Sequence, residues 1–262
     1  MRRIRVAQHV HSDWSYDGTM SLESIAAAFG RRGYDAVLLS EHDRDFDERR
    51  WDEYRAACAR AAGACLLVPG IEYSEPTNCV HVPVYGDLPF LGRGLQTGEL
   101  LRRARESEGM AVLAHPARRG AWRTIDRSLM GELFGVELWN RRYDGYAPSR
   151  EGAGLLASHR ELAPVVALDF HTARQFHPLA MVIELDGELC REGIWRAMRE
   201  RRVTPTAFGL PAERFARGPV RPAVAGIERL RREAAARARG RGRGRRATGA
   251  GASDRGPGRT RP

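Results

Sequence analysis

Short apolar runs alternate with longer amphipathic segments along most of this chain. The apolar runs are rich in valine, leucine and isoleucine, which is typical of buried β-strands. They predict strands at residues 3–9, 35–40, 65–71, 79–85, 110–114, 135–139, 164–168 and 180–185. The segments between them predict helices at residues 21–32, 48–62, 97–108, 124–133, 147–160 and 189–200.

This alternation predicts an α/β fold. Strands separated by helices of this length imply βαβ units and a mainly parallel sheet. Seven or eight such units predict a closed, TIM-like barrel over residues 1–203, a length at which such barrels form a single domain. The barrel should be irregular, because two strands adjoin within residues 65–85 without a helix between them. A Pro/Gly-rich extension, residues 204–226, follows the predicted barrel.

The positive charge of the chain is concentrated at its C-terminal end. Of the formal net charge of +10, residues 227–262 carry +9, from twelve arginines against three acidic residues. The other 226 residues are therefore close to neutral, and any argument from basicity to nucleic acid depends on this tail. We expect the tail to form a short helix and, from Gly240 onward, a disordered low-complexity segment.

Cysteine usage and hydropathy indicate the compartment. The four cysteines include no CxxC pair, and the N-terminus lacks the apolar core of a signal peptide. No stretch of the sequence reaches the roughly 18 apolar residues that cross a bilayer. The sequence therefore predicts a reduced, cytoplasmic protein with no membrane partner.

Histidines and carboxylates recur at or just past the ends of the predicted strands. They are His9, His11, His42, Glu72, His81, His115, Asp169 and His171. Imidazole and carboxylate groups are the usual protein ligands of zinc, manganese and iron. Because the C-terminal ends of barrel strands meet at one rim, we expect a metal centre there. His9 and His11 are two residues apart, so both side chains project from one face of a strand.

Separated blocks of the sequence carry these residues. They are HVHSDWSYDG at 9–18, SEHD at 40–43, GIEYS at 70–74, His81, AHP at 114–116, GVELWN at 135–140 and DFH at 169–171. In this order, over roughly residues 4–190, they resemble the PHP (polymerase and histidinol phosphatase) domain family. The resemblance implies a distorted (β/α)7 TIM-like barrel, a site for two or three divalent metal ions (Mn, Zn or Fe) and hydrolysis of phosphoesters.

The resemblance also implies which side chains hold which ion. One ion would be held by His9, His11, Glu72 and Asp169, a second by Glu72, His81 and His115, and a third by Asp17, His42 and His171. No side chain is expected to act as the nucleophile, because a water bridging two ions is acidified toward hydroxide and attacks the phosphorus. Arg118 and Arg141 follow rim motifs and are predicted to bind the substrate phosphate.

Several assignments stay open at this point. Asp13 competes with Asp17 in the same loop, and a strand histidine such as His81 can also pack in the core. Glu137 and Asn140 fit a supporting or structural role as well as substrate contact.

The leading functional hypothesis is a metal-dependent phosphoric ester hydrolase acting on a small phosphorylated molecule. One alternative is a nuclease or oligonucleotide phosphatase whose arginine tail makes weak nucleic-acid contacts. Another is a non-catalytic nucleic-acid-binding module, against which the complete ligand set argues. A passive, solubilising tail is the favoured interpretation of residues 227–262. The sequence leaves the substrate, the native metal and the oligomeric state open.

Overall fold

The computed structural model describes residues 1–61 and 63–248, in which strands and helices alternate for most of the length. The strands are β1 (Arg2–Val10), β2 (Ala36–Leu39), β3 (Glu41–His42), β4 (Leu66–Val68), β5 (Gly70–Ser74), β6 (His81–Tyr85), β7 (Met110–Leu113), β8 (Gly135–Asn140), β9 (Ala163–Ala167), β10 (Leu179–Leu185), β11 (Val203–Ala207) and β12 (Leu210–Pro211). The α-helices are α1 (Leu22–Gly30), α2 (Glu48–Ala61), α3 (Thr97–Glu106), α4 (Ala121–Thr124), α5 (Arg141–Asp144), α6 (Arg150–Ser158), α7 (Arg191–Arg199), α8 (Glu213–Ala216) and α9 (Val220–Thr248).

Two six-stranded sheets form the centre of this α/β fold. One has the strand order β12-β11-β10-β1-β2-β4 and the other the order β3-β5-β6-β7-β8-β9. The expectation of a mainly parallel sheet is wrong, because β1 pairs antiparallel with β10 and β6 pairs antiparallel with both β5 and β7. The connection between β5 and β6 is too short for a crossover, which leaves antiparallel pairing. The two adjacent strands expected within residues 65–85 are confirmed.

The two sheets are connected where one extended segment contributes a strand to each of them, as β2 and β3 do. β2 and β3 are separated only by Ser40, whose backbone N–H still donates to the carbonyl of Val10 at 2.8 Å. On the other side of β1, the backbone N–H of Phe170 donates to the carbonyl of His9 at 3.1 Å. These bonds bring the ends of β1, β3 and the segment after β9 side by side.

Helices cover the outer faces of the sheets with their apolar sides. In α7, Ile194, Trp195 and Met198 are buried, whereas Arg196 and Arg199 are exposed. This spacing is that of an amphipathic helix on a sheet. Within the described residues, no helix combines the length and the apolar character that a bilayer crossing requires.

The helix expected at residues 124–133 is wrong. α4 ends at Thr124, Ile125 is extended, and a 3-10 helix follows at Arg127–Glu132. The Asp126 side chain accepts a hydrogen bond from the Ser128 N–H and starts this new turn. Such local side-chain bonds compete with a continuous helix.

The chain continues to pack against the sheets beyond residue 203. β11 pairs antiparallel with β10. The domain boundary expected after residue 203 therefore lies at the start of a paired strand. The sequence analysis predicts no strand there, because the segment is short and contains a proline. α9 runs from Val220 past Gly240 to Thr248, so it is longer than the short helix expected there. Its many alanines and arginines are strong helix formers. The disorder predicted from Gly240 onward is therefore wrong for residues 240–248, which lie in α9, and for residues 249–262 it lies outside the described residues.

Gly70 lies at the crossing between the sheets and should tolerate no side chain. A Cβ built there lies 2.5 Å from the Leu39 carbonyl oxygen and 2.5 Å from the Tyr85 ring. We expect Gly70→Ala to lower the free energy of unfolding by about 1–3 kcal/mol through overpacking, measured by urea denaturation. Gly154→Ala in α6, where a Cβ meets nothing within 4 Å, is the control and should be neutral or stabilising by about 0.5–1 kcal/mol. If the Gly70 variant and the wild type had the same free energy of unfolding, this close approach would be contradicted.

Candidate metal centre

The strand ends bring the nine predicted ligand side chains together. They are His9 and His11 at the end of β1, Asp17 in the following loop, His42 in β3, Glu72 in β5, His81 in β6, His115 after β7, and Asp169 and His171 after β9. The ring centroids of His11 and His171 are 4.2 Å apart, and those of His9 and His115 are 5.7 Å apart. All of these side chains are buried except Asp17, which is partly exposed.

Three subsets of these side chains have ligand atoms close enough to share one ion. They are His11, Asp17, His42 and His171; His9, Glu72 and His115; and His9, His11 and Asp169, with all ligand atoms of a subset within 4.8 Å of one another. The division resembles the predicted one but differs in three ways: His11 also joins the Asp17 subset, Glu72 is not in the subset of His11 and Asp169, and His9 rather than His81 joins Glu72 and His115. His81 is in none of the three, but its Nδ1 lies 3.0 Å from Oε1 of Glu72.

Of the two aspartates left open by the sequence, the geometry favours Asp17 over Asp13 as a ligand. Oδ1 of Asp17 lies 3.2 Å from Nε2 of His42, and its Oδ2 lies 3.1 Å from Nε2 of His171. Asp13 is exposed and belongs to none of the three subsets.

The backbone is unusual at three of these positions. His9, His115 and Asp169 have φ values of 60°, 26° and 50°, in the left-handed region that side chains other than glycine rarely adopt. At His9 the register between β1 and β2 also shifts, which is the mark of a β-bulge. Bulges re-aim side chains next to functional sites, and strained backbone conformations persist where the surroundings enforce them. Thus His9 and His11 share the site through a bulge rather than through regular strand alternation.

The imidazole nitrogens are left without partners in a way that fits a metal site. Both ring nitrogens of His11 are buried and have no hydrogen-bond partner among the described residues, and the same holds for Nδ1 of His115. Buried polar atoms are nearly always paired, because losing water without a replacement bond is costly. Divalent cations would satisfy these nitrogens and the adjacent carboxylates together, so the residues present fit such ions.

Glu72 lies at the centre of the cluster. Burial alone would raise the pKa of its carboxyl, but the imidazoles of His9 and His81 outweigh burial and hold the pKa well below its usual range. A carboxylate that stays ionised in a buried cluster requires nearby positive charge.

The imidazoles respond to the carboxylates in turn. Burial alone would lower the pKa of His42, but hydrogen bonds with the carboxylates of Asp17 and Glu72 raise it to about 10. At His11, burial and the neighbouring imidazoles of His42 and His171 lower the pKa well below its ordinary value. Without cations, protons therefore supply part of the positive charge that the carboxylates require.

Glu137 supports the ligands from beneath. Its Oε1 accepts a hydrogen bond from Nδ1 of His9 at 2.7 Å, and its Oε2 accepts from the His115 backbone N–H at 2.7 Å. The Asn140 side chain also donates to Oε2, at 2.8 Å. These contacts favour the supporting role for the GVELWN block over substrate contact, because they fix the ring of His9 and aim its Nε2 into the site.

Glu41 is a further buried carboxylate next to the predicted ligands, and residue spacing alone does not indicate it. Glu41 accepts hydrogen bonds from the hydroxyls of Ser12 and Ser15 and from Tyr54. Burial raises the pKa of Glu41. It holds the loop after β1 against β3, and the SEHD block, in which it precedes His42, was the available signal.

A cavity of about 190 Å³ opens above the cluster. Its rim includes Arg118, Arg142 and Tyr143, and each of the two guanidinium groups lies 5.9 Å from the centroid of the Tyr143 ring. Nε of Arg118 donates to the Tyr143 hydroxyl at 3.1 Å, and Arg142 donates to Asp169 at 3.2 Å. Two guanidinium groups facing a cavity suit an anionic ligand.

Arg141, predicted to bind the phosphate, does not line this cavity. Its guanidinium lies over the ring of Tyr146, at 4.5 Å from the centroid. α5 starts at Arg141, and successive side chains on a helix point about 100° apart. Arg142 therefore faces the cavity in its place.

Comparison with known proteins finds no matching family model and no matching curated protein. Among solved structures, the chain is similar to a two-domain protein from Bacteroides vulgatus containing a predicted PHP-like metal-dependent phosphoesterase, with 19% identity and a TM-score of 0.59. This match covers 79% of this chain and 65% of the Bacteroides chain.

Two further solved structures have the same fold. The lesion-specific endonuclease PfuEndoQ from Pyrococcus furiosus matches with 13% identity and a TM-score of 0.57, over 76% of this chain and 56% of that one. PsfC from Pseudomonas syringae matches with 15% identity and a TM-score of 0.57, over 89% of this chain and 99% of that one. The motif blocks and these structures agree: the chain has the fold of the PHP-like metal-dependent phosphoesterases.

Proposed function

We propose that this protein is a metal-dependent phosphoesterase that hydrolyses a small phosphorylated molecule. The observation that carries the proposal is a cluster of nine imidazole and carboxylate side chains, eight of them buried, with unpartnered nitrogens under a cavity lined by arginines. Two of the solved structures of similar fold are named as a predicted PHP-like metal-dependent phosphoesterase and a lesion-specific endonuclease, which supports phosphoester hydrolysis as the reaction class.

Two or three divalent ions, manganese, zinc or iron, would be held by the three subsets of side chains. Glu72 would bridge two ions, because its Oε1 lies 3.3 Å from Nε2 of His9 and 3.0 Å from Nε2 of His115 and its Oε2 lies 3.2 Å from Nδ1 of His42. When bound, such ions supply a water acidified toward hydroxide, which serves as the nucleophile. The chain then needs no nucleophilic side chain of its own.

The arginines would hold the phosphate of the substrate. Arg118 and Arg142 both line the cavity, and each guanidinium lies 5.9 Å from the centroid of the Tyr143 ring, so both can donate to the oxygens of one phosphate. Tyr143 also packs against His115, with ring centroids 4.7 Å apart. This contact connects the arginines, through Tyr143, to one of the predicted metal ligands. Substrate orientation is therefore the task of this side of the cavity.

We also propose that β1 to β9 form the distorted seven-stranded barrel expected from the sequence, with β2 and β3 counted as one interrupted strand and β4 and β5 as another. The hydrogen bonds from Ser40 to Val10 and from Phe170 to His9 support closure, because they connect β1 to its neighbours on both sides. In such barrels the C-terminal ends of the strands carry the active site.

Replacing two ligands should abolish both metal binding and hydrolysis. We expect the variant with His9→Ala and His11→Ala to lose bound metal and to lose turnover by at least about 10³-fold, since the ions supply the nucleophile. Metal content is measured by elemental analysis, and turnover with a phosphoester panel supplied in turn with manganese, zinc and iron. His159→Ala is the control, because that ring bonds only the exposed Glu161. Persistent turnover in the double variant would rule out the proposal.

Metal loading should release protons. The pKa of His42 is raised to about 10 without metal, so this ring is protonated at neutral pH. A metal ligand must be neutral, so binding displaces the proton and apparent affinity rises with pH. Calorimetric titration with Mn²⁺ in two buffers of different ionisation enthalpy should therefore give different heats, and His42→Gln should reduce the difference. Equal heats in both buffers would contradict the displacement.

A nuclease is the second candidate function, favoured by the fold shared with PfuEndoQ and by the arginine tail. A chain ending at residue 237 loses eight of the twelve tail arginines. If the tail concentrates nucleic acid, this truncation should weaken oligonucleotide cleavage at low salt, because arginine–phosphate contacts are salt-dependent. Hydrolysis of a small ester is the internal control and should not change. If the truncated and full-length chains cleave the oligonucleotide at the same rate, and likewise the small ester, the tail is passive.

A further inference from the structure

The residues that face the substrate side of the cavity belong to a short segment with little support of its own. This segment, the α5 loop, is residues 141–146 and carries Arg142 and Tyr143. At its start, the Asn140 side chain accepts hydrogen bonds from the N–H groups of Arg142 and Tyr143. α5 is only four residues long, and an isolated helix of this length is not stable.

The outer side of the α5 loop rests on α9. Glu228 of α9 is only 5% exposed and accepts a hydrogen bond from the Tyr146 N–H at 2.9 Å. Arg232 donates to the backbone carbonyls of Tyr143 at 3.1 Å and Asp144 at 3.2 Å. Nε of Arg232 also donates to Glu228 at 2.6 Å, so the carboxylate and the guanidinium hold the loop as one unit.

Gly145 shows how closely the two elements approach. Its φ is +76°, and a Cβ built there would lie 2.2 Å from Oε1 of Glu228. No residue with a side chain could occupy this position while Glu228 keeps its place. Hydrogen bonds with Arg231 and Arg232 overcome the effect of burial and lower the pKa of Glu228 to about 2, so it remains ionised at neutral pH.

The position of α9 also shapes the approach to the metal cluster. A groove of about 550 Å³ lies between α9 and the segment that leads into α6. It shares Arg118 and Tyr143 with the cavity above the ligands. A displaced helix would therefore change both the arginine side of the cavity and its surroundings.

We propose that Glu228 and Arg232 are positioning residues that hold the α5 loop so that Arg142 and Tyr143 face the substrate. The arginine-rich C-terminal helix is then part of the substrate-binding machinery. This inference rests on the proposed phosphoesterase function for its kinetic consequence only. The contact between α9 and the loop stands independently of that function.

The test compares Glu228→Ala with Glu233→Ala in the full-length, metal-loaded protein. Glu233 lies on the same helix and lines the same groove, but its ion partner is Arg237 at 3.8 Å. Hydrogen exchange at the Tyr146 amide reports the contact itself. Steady-state kinetics on a phosphoester hydrolysed by the wild type report positioning, and calorimetric binding of inorganic phosphate reports the anion site without turnover.

We expect Glu228→Ala to speed exchange at Tyr146, to raise KM and the phosphate Kd about tenfold, and to change kcat less than about twofold. Glu233→Ala should match the wild type in all three. Unchanged exchange, or faster exchange with unchanged KM and phosphate Kd, would overturn the proposal. A fall in kcat with unchanged KM would also overturn it, since that would place the effect on the reaction rather than on substrate binding.

Two further outcomes are separated by design. If Glu228→Ala fails to fold, Glu228→Gln decides, because it keeps the size of the side chain and loses the charge that attracts Arg232. The same KM increase is expected from it, and wild-type KM would overturn the proposal. If the wild type hydrolyses no ester, the proposed function fails while exchange and phosphate binding still decide the positioning role.

Discussion

The structure depends on one buried carboxylate. Glu72 is 1% exposed and lies within 4 Å of an imidazole nitrogen of five histidines. They are His9, His11, His42, His81 and His115, from four other strand ends. An ionised carboxyl cannot be removed from water without compensating charge, so these strand ends must converge on it. Three features bring these strand ends together. They are the order of the strands around β1 and β5, the bulge at His9 and the close approach of the backbone at Gly70.

Holding so many polar groups in the interior has a structural cost that falls on the backbone. Left-handed conformations at His9, His115 and Asp169 are each unfavourable for these residues. Glu137 offsets part of the cost, because it bonds both the ring of His9 and the backbone of His115. The geometry of the ligands is therefore determined by groups that touch no ion, and the network explains why a glutamate and an asparagine stand three residues apart in the buried strand β8.

Much of this could be predicted from the sequence, and the parts that could not share a physical reason. Strand positions follow from local apolar runs. Eight of the nine clustered side chains follow from residue type and position at strand ends, whereas Asp17 was expected only from the family resemblance. Whether Arg141 or Arg142 faces the cavity depends on where a four-residue helix begins, and no periodicity in the sequence indicates that. Antiparallel pairing of β1 with β10, and the bond of Glu228 to Tyr146 across 82 positions, are tertiary contacts. Composition described the C-terminal segment by its charge and could not show that one of its few acids is buried.

The charges of the cluster relate metal ions and protons directly. Burial alone would lower the pKa values of His9 and His42, but nearby carboxylates raise them, and Glu72, which would also bind cations, is common to both. A proton and a metal ion cannot occupy one imidazole nitrogen together, so each is the alternative to the other in balancing Glu72 and Asp169. A proton contributes one charge and a divalent ion two, so exchange makes the cavity more positive and more attractive to a phosphate. In the cavity lining three arginines face four carboxylates, which means that the affinity of the site for an anion depends on the cations it holds.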